Sequence, residues 1–385
     1  MDFSLSDEQQ LIRETAREFA DREIAPGARD RDREERFDLD LVHRIGAMGY
    51  IGATVSEDLG GAGLDYLSYG LILEELGRVD SSARTVVSVG TSLTTAPIAR
   101  WGSAEQLALL PRLCRGEGLA CFGLTEPDTG SDAGALRTKA VADGDGWRIS
   151  GQKMWISLAS HAEQALIFAR TGEDPGHRGV TCFLVPTDRE GFSTQRIHGK
   201  HGLRASDVSE VFLDEVEVGP EHVLGEVGRG FRVAMSALES GRFSVAAGCV
   251  GICQAALEQA LSYAAERQQF GRSIASFQLV QKMLTEISVQ VDAARALLWR
   301  AADAKDRGLE SVRETSTAKL YASEAAVRCA GLSLQIHGGA GYVDDHPIER
   351  HLRDARVTTL YEGTSQVQEM IIGRALTGID ALAAG

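Results

Sequence analysis

The sequence has no basic excess. Its 40 Lys and Arg stand against 55 Asp and Glu, a formal net charge of -15. A nucleic-acid groove needs a basic stripe, so this balance argues against one. It leaves room for a phosphorylated ligand, which a few local arginines can grip. No apolar run approaches the length of a membrane-spanning helix. The N-terminus, Met1-Asp2-Phe3-Ser4, starts acidic and carries no basic signal or transit segment. The six cysteines (Cys114, Cys121, Cys182, Cys249, Cys253 and Cys329) have no zinc spacing. They read as small buried hydrophobes in a reducing compartment, which makes a cytoplasmic protein the expectation. Helices and strands do not alternate, and no G-x-G-x-x-G follows a first strand. A doubly wound dinucleotide fold is therefore disfavoured.

What is present is an ordinary globular composition, 43% hydrophobic and 25% charged, over 385 residues. That length suits two or three domains. Ser6-Asp7-Glu8-Gln9 is a capping box, and Ile12, Ala16, Phe19, Ala20 and Ile24 follow at helical spacing. Pro26-Gly27 is expected to end that helix. Helical patterns return over Leu39–Met48, Tyr66–Arg78 and Ala104–Arg115. The glycine-rich Leu59–Gly63 between them reads as a plain turn. From Trp147 to Val218 the pattern becomes short and strand-like. Turn residues at Asp143–Gly146, Asp174-Pro175-Gly176 and Glu190-Gly191 separate its runs. That is the signature of a small antiparallel β domain, a barrel or sandwich. After Gly228-Arg229-Gly230 the chain is helical again. Phe277, Val280, Leu284, Ile287, Val291, Ala294 and Leu298 alternate steps of three and four, the seam of a helix bundle or zipper. Two further helices are expected at Glu324–Leu334 and Ser365–Leu376.

Six segments carry chemistry. Tyr361-Glu362-Gly363-Thr364-Ser365-Gln366 sets one carboxylate before a glycine, as a general base or as a charge at a helix N-terminus. Gly130-Ser131-Asp132, after Leu124-Thr125-Glu126-Pro127, offers exposed amides and hydroxyls to a phosphate or a ring edge. Trp155-Ile156-Ser157 puts an indole beside a hydroxyl, a wall for a planar ring or a core strand. Glu266-Arg267-Gln268-Gln269-Phe270-Gly271 ends a helix with an arginine suited to pyrophosphate or to a surface ion pair. Gln335-Ile336-His337-Gly338-Gly339 lets backbone approach a ligand, or caps a helix. Glu239 and Arg242 share a helix face around Gly241, as a ligand-binding or a surface pair.

In their order along the chain, and from about Phe3 to Ile372, these segments resemble the acyl-CoA dehydrogenases, flavoenzymes that desaturate acyl thioesters. The resemblance implies a mostly α, α+β protein. Its parts would be an N-terminal helical domain (1–118), a middle antiparallel β-barrel (119–228) and a C-terminal four-helix bundle (229–385). It implies FAD, held by Phe122, Leu124, Thr125, Gly130, Ser131, Trp155, Ile156, Ser157, Thr364 and Gln366. It adds Arg267, Gln269, Phe270, Phe277, Gln278, Gln335, Ile336, Gly338 and Gly339, which would serve mainly a neighbouring subunit's FAD. Ser157 and Gln269 depart from the residue usual in the family, threonine. Ser131, Glu239, Arg242 and Gly363 would contact the acyl-CoA, with Arg242 towards its nucleotide end. Glu362 would be the base, because Gly241 offers no side chain where branched- and long-chain relatives carry theirs. A homotetramer, an electron-transfer flavoprotein as acceptor, and a short or medium straight acyl chain are implied. An acyl-CoA oxidase, a dehydrogenase acting on an acyl-carrier protein, and a scaffold without catalysis are the alternatives.

Overall fold

The computed structural model describes residues 4–172 and 176–381. The chain opens with α1 (Asp7–Phe19), α2 (Ala25–Arg33), α3 (Leu39–Ala47), α4 (Tyr66–Val79) and α5 (Ser81–Ser88). Then come α6 (Ala96–Trp101), α7 (Ala104–Leu107) and α8 (Leu110–Cys114). The capping box at Ser6 and Gln9 forms. Pro26-Gly27, however, does not end the first helix. A π-helical stretch, Ala20–Ile24, shifts the hydrogen-bond register, so Pro26 falls in the first turn of α2. There its missing N–H costs nothing. The helix expected over Ala104–Arg115 is likewise two short helices, the second starting beside Pro111.

Seven strands follow: β1 (Ala120–Gly123), β2 (Lys139–Asp143), β3 (Gly146–Ser157), β4 (Gln164–Arg170), β5 (Val180–Pro186), β6 (Phe192–Arg196) and β7 (Val208–Val218). The sheet is neither wholly antiparallel nor shown as a closed barrel. β1 and β2 both run parallel to β4, β5 pairs only with β4 and β6 only with β7. The turn at Gly144 and the turn at Gly191 lie where expected, both at positive φ. The turn at Asp174-Pro175 lies outside the described residues, as does Phe3.

The remainder is α9 (Gly230–Glu266), a hairpin of β8 (Gln268–Gln269) and β9 (Arg272–Ser273), α10 (Gln278–Asp306), α11 (Val312–His337), α12 (Ile348–Thr358) and α13 (Ser365–Thr377). On α10 the expected seam is the buried face, with Ile287, Val291, Ala294 and Leu298 inside. All six cysteines are free and buried. The expectation about apolar length needs correction, since α9 is long and apolar enough to cross a membrane. Yet 72% of its apolar window is buried inside the protein, which makes it a core helix.

α9 is the spine on which the other parts pack. At its start a Cβ on Gly230 would collide with the backbone of β5 at Thr181 and Cys182. Further along it touches α4 backbone to backbone. A Cβ on Gly77 would lie 2.7 Å from the Gly248 carbonyl, and one on Gly251 would strike the carbonyl of Glu74. Neither contact can relax by turning a side chain. Gly251→Ala should therefore cost about 1–3 kcal/mol, the usual range for overpacking. Urea unfolding of the purified protein checks this; an unchanged midpoint would contradict the contact.

Candidate active site

After α12 the backbone enters the left-handed region twice, with Glu362 at φ +56° and Gly363 at φ +92°. For glutamate that conformation costs of order 1–3 kcal/mol and persists only where neighbours impose it. Five hydrogen bonds do so. Lys319 donates to the Gly363 carbonyl at 2.8 Å. Gln368 donates to the carbonyls of Glu362 and Gly363 at 3.0 and 3.1 Å. Thr364 caps α13 by accepting from the Val367 N–H, and Ser365 donates to Glu324 on α11. With both carbonyls engaged, the Glu362 N–H has no partner among the described residues.

The Glu362 side chain lies against α9. A Cβ on Gly241 would meet its Oε2 at 2.5 Å and its Cδ at 2.7 Å, so only glycine leaves this seat open. Oε2 is shut off from solvent and has no hydrogen-bond partner. Burial pushes the carboxyl up to about 7, against the opposing charges of Arg242, Lys319 and Arg84. At about 1.4 kcal/mol per unit, the net penalty on the charged form is about 3 kcal/mol. A carboxylate with that pKa is matched to proton abstraction near neutral pH.

Arg242 is buried beside this carboxyl, its Nε without a partner. Burial lowers its pKa, and the charges of Glu362 and Glu239 oppose that. The surface pair between Glu239 and Arg242 does not form. Glu239 instead accepts from Ser311 at 2.6 Å and lies 3.5 Å from the Lys305 ammonium. Lys319 is fully buried, and burial pulls it down to about 8.

The residues expected to hold FAD fall into two groups. In the first, the register of β3 on β7 slips between Lys153 and Ile156. This bulge turns Trp155 outward at φ +63°, leaving it 57% exposed. The Thr125 carbonyl accepts from the Met154 N–H at 2.9 Å. Buried Lys153 bonds Glu126 at 2.8 Å, and Glu126 also accepts from the N–H groups of Arg137 and Thr138. The Thr125–Ser131 segment and the Trp155–Ser157 strand end are thereby locked together. Phe122, Leu124 and Ile156 keep their side chains in the core, so only their backbone is free to meet a ring. Gly130 and Ser131 are exposed, and buried Thr129 Oγ1 lacks a partner. An outward indole, hydroxyls and an open glycine backbone fit a flavin with its phosphates.

The second group lies where α9 ends. Arg267, Gln269 and Phe270 are exposed around the hairpin, and Phe277 caps α10 ahead of Gln278. The Gln269 amide donates to its neighbour's carbonyl. Gln335, Gly338 and Gly339 are exposed at the end of α11, Gly338 being its cap at φ +58°, while Ile336 is buried. Tyr263 stacks on His337 at 4.4 Å and joins the two segments. The 37 residues of α9 span about 55 Å at 1.5 Å each, and the sheet packs at its beginning. Thr364 and Gln366 begin α13, Gln366 exposed. Sequence reasoning missed Lys319 and Arg84, which act on the Tyr361–Gly363 turn from distant helices, and Gln368, which acts on it from the start of α13.

Three family models match: acyl-CoA dehydrogenase, N-terminal domain, over residues 6–117; middle domain over 121–216; and C-terminal domain over 228–377. An acyl-CoA dehydrogenase of Bacillus subtilis (strain 168) is 41% identical, over 97% of this chain and 99% of its own length. The structure of butyryl-CoA dehydrogenase from Megasphaera elsdenii superimposes with a TM-score of 0.95 at 37% identity, covering 98% of this chain and 100% of that one. Glutaryl-CoA dehydrogenase from Mycobacterium smegmatis in complex with FADH2 gives a TM-score of 0.94 at 34% identity, covering 98% and 97%.

Removing the Arg242 charge should raise the pKa of Glu362 further, because that charge favours the carboxylate. Infrared carboxyl difference spectra, wild type minus Glu362→Gln, report this proton. Half-protonation is expected at about pH 7 in the native background. It should move to higher pH in an Arg242→Gln background. An unmoved midpoint would remove Arg242 from the electrostatics of the site.

Proposed function

The chain belongs to the acyl-CoA dehydrogenase family, and from that premise we propose that Glu362 is the base of its reaction and that its acyl group is short. The protein is a FAD-dependent enzyme that converts an acyl-CoA to the trans-2-enoyl-CoA. The observation that carries the assignment of the base is the Glu362 carboxyl. It is strained into place, seated on Gly241, shut off from water at Oε2 and tuned to about 7. A short acyl group accords with the neighbour named for butyryl-CoA.

An acyl thioester gives up its α-proton only if charge growing on the thioester oxygen is stabilised. The unpartnered Glu362 N–H is the donor for that oxygen, and the Glu362 carboxylate takes the α-proton. FAD, when bound, supplies the acceptor for the β-hydride. Trp155, Ser157, Thr125, Gly130, Ser131, Thr364 and Gln366 hold it from one subunit. Arg267, Gln269, Phe270, Phe277, Gln278 and the Gln335–Gly339 backbone serve the FAD of a neighbour. Ser131, Glu239, Arg242 and Gly363 line the path of the CoA arm.

This sharing requires an oligomer, and we assign a homotetramer in which α9, α10, α11 and α13 form the four-helix bundle of the third domain. Its support is the pair of site groups at opposite ends of α9 and the exposed apolar side chains around the second. Phe270 is 92% exposed, Tyr342 84% and Leu279 75%. Domain limits at 118 and 228, a cytoplasmic location suited to six unpaired cysteines, and an electron-transfer flavoprotein as acceptor complete the assignment.

Glu362→Gln keeps the size of the side chain but cannot take a proton. The variant should retain FAD and bind acyl-CoA, while anaerobic flavin reduction by butyryl-CoA slows by at least ~10²-fold. Near-normal reduction would move the base elsewhere, with Glu239 the first alternative. Arg267→Ala should lose flavin and tetramer together; a variant monomer with full flavin would contradict the shared site.

A further inference from the structure

One buried cation is unexplained by this reaction. Arg84 on α5 is 1% exposed, yet no carboxylate lies within ion-pair distance of it among the described residues. Its NH2 donates to the Tyr361 hydroxyl at 2.9 Å, and its Nε is buried without a partner. Buried Arg31 pairs with Asp80 at 3.3 Å, and half-buried Arg295 with Glu74 at 2.6 Å; buried Arg350 at least donates to the Val79 carbonyl. A guanidinium left alone in a protein interior is costly, and such groups are ordinarily paired.

Arg84 is also placed by design of the backbone. A Cβ on Gly248 would lie 2.5 Å from its Nε and 2.8 Å from its Cδ. Gly248 therefore does for Arg84 what Gly241, seven residues earlier on α9, does for Glu362. Two helical turns, about 10 Å, separate the seats. Tyr361 adjoins Glu362 in sequence, and the Arg84 charge acts on Glu362 itself. Around the Glu362 carboxyl stand three cations, Arg84, Arg242 and Lys319. Glu239, the nearest other acid to Arg242, is already engaged by Lys305 and Ser311. The site holds more buried positive charge than its own carboxylate balances. Tyr361 accepts from Arg84, which leaves its own O–H free to donate.

We propose that Arg84 and Tyr361 receive a carboxylate at the far end of the acyl group, so that the substrate is the CoA thioester of a short dicarboxylic acid. This rests on the dehydrogenase reading of the site and narrows it. The α-proton still goes to Glu362 and the β-hydride to the flavin; the distal carboxylate is a handle that takes no part in the redox step. A neutral acyl chain of equal length leaves the guanidinium buried and unpaired. A site built to pair with a polar group discriminates strongly against an analogue lacking it.

The test compares succinyl-, glutaryl- and adipyl-CoA with butyryl-, pentanoyl- and hexanoyl-CoA on the FAD-loaded enzyme. It uses anaerobic flavin bleaching for turnover and perturbation of the flavin spectrum of Glu362→Gln for binding alone. At least one dicarboxylyl thioester should exceed its neutral counterpart of equal length in kcat/KM by at least ~10²-fold. Arg84→Gln should abolish that preference, bringing the two kcat/KM values together whatever the loss of its charge does to Glu362, and Tyr361→Phe should weaken it in the same direction. Equal use of both kinds by the native enzyme, or an equal loss of both in Arg84→Gln, overturns the proposal. Should Arg84→Gln fail to fold with flavin, the native preference decides. Tight binding of a dicarboxylyl thioester with no bleaching by any thioester would instead sink the dehydrogenase reading and leave the carboxylate site standing.

Discussion

Keeping one carboxylate out of water is the constraint on which this structure turns. Glu362 is shielded enough that its charged form is penalised by about 3 kcal/mol, yet cations stop it from becoming a permanent acid. Burial alone would push the group higher; Arg242, Lys319 and Arg84 pull it back. The same lysine that lends charge also grips the Gly363 carbonyl. Position and electrostatics thus meet in one residue, Lys319.

Helix α9 gives the site its dimensions. Its glycines mark where other parts approach closely: the sheet at Gly230, the Glu362 carboxyl at Gly241, Arg84 at Gly248 and helix α4 at Gly251. Each glycine gives up helix propensity of about 1 kcal/mol against alanine. The three inside the helix, Gly241, Gly248 and Gly251, are offset by packing that larger residues forbid. The length of α9 sets the sheet, packed at its beginning, far from the hairpin at its end.

Much of this was legible from short patterns. The capping box at Ser6 formed, and the seam on α10 faces the core, because both depend on local spacing alone. Patterns failed where hydrogen-bond register changed. The π turn before Pro26 carries the helix past a residue that reads as a stop. The helices between Ser81 and Trp101 went unread because their residues are buried on nearly every side and show no polar stripe. Strand β1 was hidden because all four residues are buried and it pairs in parallel. At the site, Glu362, Gly241 and Trp155 stood in recognisable strings. Lys319 and Arg84 did not, since their roles exist only once distant helices meet, and Gln368 did not, since its role depends on the left-handed turn that precedes α13. One signal for Arg84 was present: it is the only charged residue between Ser81 and Thr95. Its acidic neighbour at helical spacing, Asp80, pairs instead with Arg31 and caps the start of α5.

The central claim is that a buried glutamate of near-neutral pKa takes the α-proton. The most direct measurement is the rate of anaerobic single-turnover flavin reduction as a function of pH, with protiated and α-deuterated acyl-CoA. A base that works only when deprotonated predicts a rate that climbs tenfold per pH unit on the acid side and levels off above about pH 7. It also predicts a primary isotope effect across the profile. A rate independent of pH between about pH 5 and about pH 9, or one insensitive to α-deuteration, would contradict it.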